Sequence, residues 1–261
     1  MFALLDVKMV RDARTILSIE HLNVPTDQLT VILGHNGSGK STLASLLSGQ
    51  QQPDSGKICL NGRELASFRA KELAKEIAFL PQKLPASVGL TVRELVRLGR
   101  FPWRGTFGRW DAEDEHVIDD AIEKTGVTPF AQTLADQLSG GERQRAWVSM
   151  LLAQQSPVLI LDEPTSALDI HHQYQLMALL ARLNRDQNFG IIVILHDLNL
   201  ALRYASRIIA LKAGKIAFEG PVDVLLNEQK LSELYHSRIH LIDHPAPLPD
   251  SKTNKVAIIC E

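Results

Sequence analysis

The chain has 261 residues, 45% of them hydrophobic and 22% charged, with a net charge of −2 at neutral pH. This is the balance of an ordinary globular protein with enough chain to bury a full core, either as one large domain or as one domain carrying a sub-domain. The near-neutral charge excludes a global pull toward nucleic acid or an acidic membrane surface, and no apolar run approaches the ~20 residues that span a bilayer.

Along the chain, Asp6, Lys8, Arg11 and Asp12 mix charges early, unlike a signal peptide. Cys59 and Cys260 form neither a disulfide framework nor a metal pattern. Both features predict a reducing, cytoplasmic setting. Leu29–Leu33 is a continuous apolar run, the pattern of a strand buried on both faces of a parallel sheet. It leads into Gly34-His35-Asn36-Gly37-Ser38-Gly39-Lys40-Ser41, which fits the phosphate-cradling pattern G-x-x-x-x-G-K-[ST]. Gly34, Gly37 and Gly39 allow backbone turns that side chains forbid. The freed N–H groups then form a nest for anionic oxygens, and the following helix adds the positive end of its dipole. Lys40 is placed to reach β and γ phosphates, and the Ser41 hydroxyl to hold Mg²⁺. With Thr42, the residues from Gly34 to Ser41 form the candidate ATP-binding loop. Leu43, Leu46 and Leu47 follow at helical spacing, and Gly49 marks the stop.

Ile77–Leu80 is a second apolar run. It ends at Pro81-Gln82, where Gln82 is placed to complete a magnesium shell and to sense the γ-phosphate. The pattern then turns helical, with Val92, Leu95, Val96 and Leu98 in one stripe and Val117, Ile118, Ala121 and Ile122 in another. Residues 84–157 read as a helical insertion. Within it, Ser139 and Glu142 make a capping box that opens a helix bearing Trp147, Val148, Leu151 and Leu152. Gly140 and Gly141 leave that helix's first N–H groups bare for an anion.

Val158–Leu161 ends in Asp162-Glu163. Asp162 is suited to hold magnesium, directly or through water, and Glu163 to orient and polarise an attacking water. Residues 191–195 end in His196, within reach of a γ-phosphate oxygen. Four runs thus place polar residues at the carboxyl ends of strands, where open α/β sheets bind ligands. Residues 208–218 read as a hairpin around Ala213-Gly214. His236, His240 and His244 recur every four residues. Residues 235–243 alternate like a strand, in which four residues span ~13 Å, too far for one ion, so no metal site is expected. From residue 244 the chain is Pro-rich and then polar, the composition of a loose tail.

The phosphate loop, Leu138-Ser139-Gly140-Gly141-Glu142, the run ending in Asp162-Glu163, Ser166-Ala167-Leu168-Asp169 and the later His196 together resemble the ATP-binding-cassette ATPases, in that family's order and over nearly the whole chain. The resemblance implies an α/β fold of the P-loop NTPase type. It has a parallel sheet core, an antiparallel β-hairpin element and an inserted helical sub-domain. Residues 1–83 and 158–243 would form a RecA-like ATP-binding core with a β sub-domain, 84–157 the helical sub-domain with the signature motif, and 244–261 the tail. It also implies Mg²⁺-dependent ATP hydrolysis in a homodimer that sandwiches ATP. Lys40, Glu163 and His196 would serve catalysis in one chain. Ser139, Gly140, Gly141, Glu142 and Asp169 would face the nucleotide of the other.

Thr91-Val92-Arg93-Glu94-Leu95-Val96 and Gly99-Arg100-Phe101-Pro102-Trp103 are similar to bacterial ATPases for iron–siderophore and vitamin B12 uptake. Gly105, Gly108-Arg109 and Ile170 strengthen the likeness to ferric hydroxamate importers. The implied partners are polytopic permease subunits at the cytoplasmic face of the inner membrane and, indirectly, an extracytoplasmic binding protein. Competing functions are import of vitamin B12 or haem, a soluble cassette ATPase, and a nucleotide sensor. Phe101, Trp103, Phe107 and Trp110 interleave with Arg97, Arg100, Arg104 and Arg109, which suits internal packing or permease docking. Nucleic-acid binding ranks behind both because the chain is not basic. The family often stacks adenine on an aromatic residue upstream of the loop. Here residues 7–11 hold none, leaving Met9 or Arg11 to cover the base.

Overall fold

The computed structural model describes residues 1–104, 110–246 and 251–260. Gly105, Phe107, Gly108, Arg109 and much of the Pro-rich stretch lie outside them. Strands β1 (Phe2–Arg11) and β2 (Arg14–Val24) pair antiparallel around Asp12 and Ala13, both at positive φ. Strand β3 (Leu29–Leu33) follows, then helix α1 (Lys40–Leu47), strands β4 (Ser55–Leu60) and β5 (Arg63–Glu64), helix α2 (Ala70–Glu76) and strand β6 (Ile77–Leu80). Four helices come next: α3 (Val92–Arg97), α4 (Phe101–Arg104), α5 (Ala112–Lys124) and α6 (Gly140–Ala153). The chain returns through β7 (Val158–Leu161), α7 (Ile170–Gln187), β8 (Gly190–Ile194) and α8 (Leu198–Tyr204). It closes with β9 (Arg207–Lys212), β10 (Lys215–Pro221), α9 (Glu228–Tyr235), β11 (Ile239–Asp243) and β12 (Lys255–Ile259).

The main sheet has the order β10-β9-β3-β8-β7-β6 and is parallel except for the last hairpin strand, β10. Strands β3, β7 and β8 are buried at every position, which explains their unbroken apolar sequence. Their residues alternate between two cores. Val31, Leu33, Leu159, Leu161 and Val193 face the helical side with Val148, Leu151, Leu180 and Leu200. Ile32, Ile160, Ile192 and Ile194 face α1 and the antiparallel sheet β2-β1-β4-β5. Because Leu80 pairs with Leu161, Leu161 with Val193 and Ile32 with Ile194, the strands end at one level. Whatever follows them shares one rim.

Two sequence expectations are corrected. Residues from 244 onward are not a loose tail throughout: Lys255–Ile259 pairs antiparallel with Ile239–Asp243. The carboxamide of Asn199 also clamps Ala257, accepting from its N–H at 2.8 Å and donating to its carbonyl at 3.2 Å. The strand is short and meets its partner across the Pro-rich stretch, so composition hid it. Tyr235 ends a helix rather than starting a strand, because Leu231 and Leu234 bury at helical spacing and His236 stops the helix at φ 55°.

Arg100 is 3% exposed and Asp114 fully buried, joined at 3.0 Å, with the Arg104 Nε 2.5 Å from the second carboxylate oxygen. Burial pushes the Asp114 carboxyl up, yet hydrogen bonds from Arg100 and Arg104 outweigh it and hold the group below the usual carboxylate range. Stability from this group is present above the ordinary pKa and is lost as pH falls through the lowered one. Asp114→Ala, which leaves the buried charge of Arg100 without its carboxylate, is expected to cost about 3 kcal/mol in urea unfolding at pH 7. Asp119→Ala, which breaks an exposed pair with Arg93, is expected to cost under about 1 kcal/mol.

Candidate functional site

The phosphate loop joins β3 to α1 with Gly34, Gly37 and Gly39 at φ 147°, 77° and 100°. A side chain at Gly34 would lie 2.3 Å from the Leu211 carbonyl oxygen, so the loop packs too closely on β9 for any other residue. The β9–β10 turn supports the loop from behind. The Gly214 N–H donates to the Ser38 carbonyl at 3.1 Å, and the Ser18 N–H donates to the Gly214 carbonyl at 2.7 Å. Ser38 is fully buried with no partner for its hydroxyl. At the start of α1 the N–H groups of Lys40, Ser41 and Thr42 have no intrahelical acceptor, which leaves them for an anion.

Lys40 is 4% exposed, and its Nζ donates to the Gly34 and His35 carbonyls at 2.9 and 3.2 Å. Burial lowers its pKa, with Glu163 and Asp162 acting in the opposite direction. Asp162, 6% exposed, accepts from the Ser41 hydroxyl at 3.1 Å. Burial raises its pKa, with the Glu163 charge adding to the rise and the Ser41 hydrogen bond opposing it. Glu163 occupies the left-handed region at φ 48°, where a non-glycine residue is strained. The Ser166 N–H and hydroxyl, both donating to its carbonyl, hold it there. Gln82 Nε2 donates to one Glu163 oxygen at 2.5 Å, and His196 Nε2 lies 2.6 Å from the other. Three strand ends thus converge on one carboxylate, which points it along a single direction. Ser41 and Asp162 present hard oxygens side by side, 3.1 Å apart. That donor set fits Mg²⁺, while the one hydrogen-bond partner of Gln82 among the described residues is the Glu163 carboxylate.

The second group of predicted residues lies elsewhere. Ser139 caps α6, its hydroxyl accepting from the Glu142 N–H while its own N–H donates to the Glu142 carboxylate at 2.9 Å. Asp169 caps α7 and is held below the usual carboxylate range, first by the His172 backbone N–H and then by the His172 ring. Among the described residues no hydrogen bond joins Ser139, Gly140, Gly141, Glu142 or Asp169 to the phosphate loop.

Met9 is 1% exposed and packs in the core, because β1 turns residues 7 and 9 inward, so it cannot cover a base. Arg11 is exposed and bonds Gln51 at 3.1 Å. The Trp103 Nε1 donates to the Gln154 carbonyl at 2.7 Å, and the Lys75 ammonium lies 4.4 Å from its ring centre. Trp110 stacks under Arg97, while Phe101 is 47% exposed. His236, His240 and His244 do not converge, and the described residues contain no cluster able to hold a metal through three such side chains. Sequence reading missed that the His236 ring stands 6.1 Å from the ring of His35 in the phosphate loop, and that His172 bridges two segments. Neither carried a sequence signal, because each depends on which helix ends meet.

Residues 17–166 match the ABC transporter family. The chain is 42% identical over 224 residues to the ferric enterobactin transport ATP-binding protein of Escherichia coli (strain K12), covering 86% of this chain and 83% of that one. It is 38% identical to the iron(3+)-hydroxamate import ATP-binding protein of Bacillus subtilis (strain 168), over 93% and 88% of the two. It is 39% identical to a hemin import ATP-binding protein of Thermobifida fusca (strain YX), over 89% and 81%. Among solved structures, the dimeric bacterial ABC transporter cassette MJ0796 superposes with TM-score 0.75 at 29% identity, covering 85% of this chain and 99% of that one. A chain of an ABC transporter in an inward-facing conformation gives TM-score 0.85 at 24% identity, covering 100% and 97%.

The raised pKa of Asp162 has a measurable consequence. Between the ordinary value of 3.8 and the raised one, the folded state holds a proton that the unfolded state has lost. Above both, the charge is buried at a cost. Asp162→Asn is therefore expected to raise the melting temperature of the nucleotide-free protein at pH 7 by a few degrees, about 1 kcal/mol being roughly 2–4 °C at this size. The gain should vanish in acid below the ordinary value.

Proposed function

This chain belongs to the ABC transporter family as an ATP-binding, ATP-hydrolysing subunit, and we propose that it powers uptake of an iron(III)–siderophore complex across a bacterial cytoplasmic membrane. The observation that carries the reading is the convergence of Lys40, the Ser41–Asp162 pair and the Gln82–Glu163–His196 network at one sheet edge. The cargo class follows from relatives named for ferric enterobactin, iron(3+)-hydroxamate and hemin transport. Within that class, hydroxamate is the reading favoured by residues 91–103.

In this reading the loop amides and Lys40 bind the ATP phosphates. Mg²⁺ would be held by Ser41, Asp162 and Gln82, and would neutralise charge on the phosphate oxygens. Glu163 orients the attacking water and takes its proton, and its two neighbours fix the carboxylate's direction so that little reorganisation remains. His196 adds a hydrogen bond toward the γ-phosphate. The half-site at Ser139, Gly140, Gly141, Glu142 and Asp169 meets the nucleotide of a second copy, as befits a relative solved as a dimer. Adenine is left to Arg11, the exposed one of the two candidates.

No helix among the described residues is long and apolar enough to cross a membrane, so transport requires a permease. A cleft of about 440 Å³ opens between α1, α2 and the end of α6, lined by Leu46, Pro53, Phe68, Leu73, Phe79 and Gln154. Trp103, bonded to Gln154, stands at its rim. This cleft is the proposed seat of a permease helix.

Three outcomes are expected. Glu163→Gln should lower ATP turnover about 100-fold or more while trapping an ATP-bound dimer on size exclusion; a monomer at saturating ATP would refute the sandwich. Tagged protein purified from detergent-solubilised membranes should carry a polytopic permease, and Trp103→Glu should lose it without losing ATP affinity. A deletion strain should fail to grow on a hydroxamate siderophore as sole iron source while still using haem; the opposite pattern would move the cargo to haem.

A further inference from the structure

We propose that His172 is a positioning residue that locks the loop before α7 to the first turn of α6, so that both segments meet a second copy's nucleotide as one surface. The inference rests on the dimer reading above. Asp169 is 65% exposed at its side chain and stands at the end of a short turn. Two donors restrain it, and both belong to His172. The backbone N–H lies 2.9 Å from Oδ1, and ring Nδ1 lies 2.8 and 2.9 Å from Oδ1 and Oδ2.

The opposite edge of the same ring is wedged against α6. A Cβ at Gly141 would stand 2.6 Å from His172 Cδ2 and 2.9 Å from Cγ, so the imidazole fills the space that the glycine leaves. One residue earlier, a Cβ at Gly140 would come within 3.6 Å of the Ala167 carbonyl oxygen, so the loop lies along the same turn. His172 also lowers the pKa of Glu142, the capping carboxylate of α6, though less than the hydrogen bonds from Ser139 do. One ring therefore touches, or acts electrostatically on, the residues at both helix ends. Its neighbour His171 serves as the contrast: it is exposed, and among the described residues its ring hydrogen-bonds only Gln175 along its own helix, at 2.8 Å. It meets the His172 ring edge-on with centroids 5.6 Å apart and acts on Asp169 through charge alone.

The physical role is to remove freedom before binding. Two independently mobile segments would each lose conformational entropy on closing over a phosphate, whereas a locked pair has lost it already. Removing the ring leaves Asp169 with one restraint and opens a gap over Gly141. An asparagine would restore both contacts, since its Nδ2 occupies the place of Nδ1 and its Oδ1 that of Cδ2.

The test uses the full chain in the Glu163→Gln background, titrated with Mg-ATP and followed by size exclusion with light scattering. His172→Ala is expected to raise the ATP concentration for half-dimerisation about tenfold or more. ATP affinity of the monomer and the melting temperature should stay unchanged. His172→Asn should recover most of the loss, and His171→Ala should behave as the parent. Dimerisation of the His172→Ala variant at the parent's ATP concentration would overturn the proposal, as would an asparagine variant no better than alanine. Early melting, or lost affinity in the monomer, would assign a structural role instead and overturn it too. If the Glu163→Gln parent never dimerises, the dimer reading itself fails and the inference falls with it.

Discussion

Everything at this site depends on keeping an ammonium and two carboxylates at the end of a buried parallel sheet. Lys40 and Asp162 are almost inaccessible, and burial drives the pKa of each toward its neutral form. The Lys40 charge is supported by Asp162 and Glu163, and the Asp162 charge by the Ser41 hydroxyl and Lys40 against the repulsion of Glu163. That mutual dependence fixes the architecture. The strands must end at one level, β3 must turn at once into a loop, and that loop must open on a glycine because β9 lies directly against Gly34. The strained backbone of Glu163 belongs to the same bargain: the carboxylate is aimed by a conformation that the chain would not choose on its own.

Such a site resists the usual measure of a good protein interior. The unpartnered hydroxyl of Ser38, the desolvated Asp162 and the twisted Glu163 all cost folding free energy. The stabilising weight lies in the two apolar cores on either side of the sheet, far larger than the rim they carry. Rigid strands and helices make the strain sustainable, and the strain keeps the polar atoms where a phosphate would need them.

Much of this was legible from sequence because the signals were local. The apolar runs of β3, β6 and β7 each lead within a few residues into the polar residues of the site, so the reading is local. The capping box at Ser139 and Glu142 is likewise a three-residue pattern, and it forms as the sequence indicates. What could not be read depends on contacts between segments distant in the chain. Met9 looks available in a list of residues, yet β1 turns it inward. His172 and His236 acquire their neighbours only when helix ends come together. β12 is invisible because its partner lies beyond a proline-rich stretch and its anchor, Asn199, is more than fifty residues away.

That last anchor joins β12 to the helix that follows His196. Asn199 belongs to the first turn of α8, the helix that begins two residues after His196, and it grips β12 by both atoms of its carboxamide. Lys252 and Thr253 tie down the other end of the same helix, through the carbonyls of Arg203 and Leu202. The final strand thus works as a strap around α8, in series with the histidine. Both ends of the helix that follows His196 are thereby fastened by one segment from the far end of the sequence, some fifty residues away.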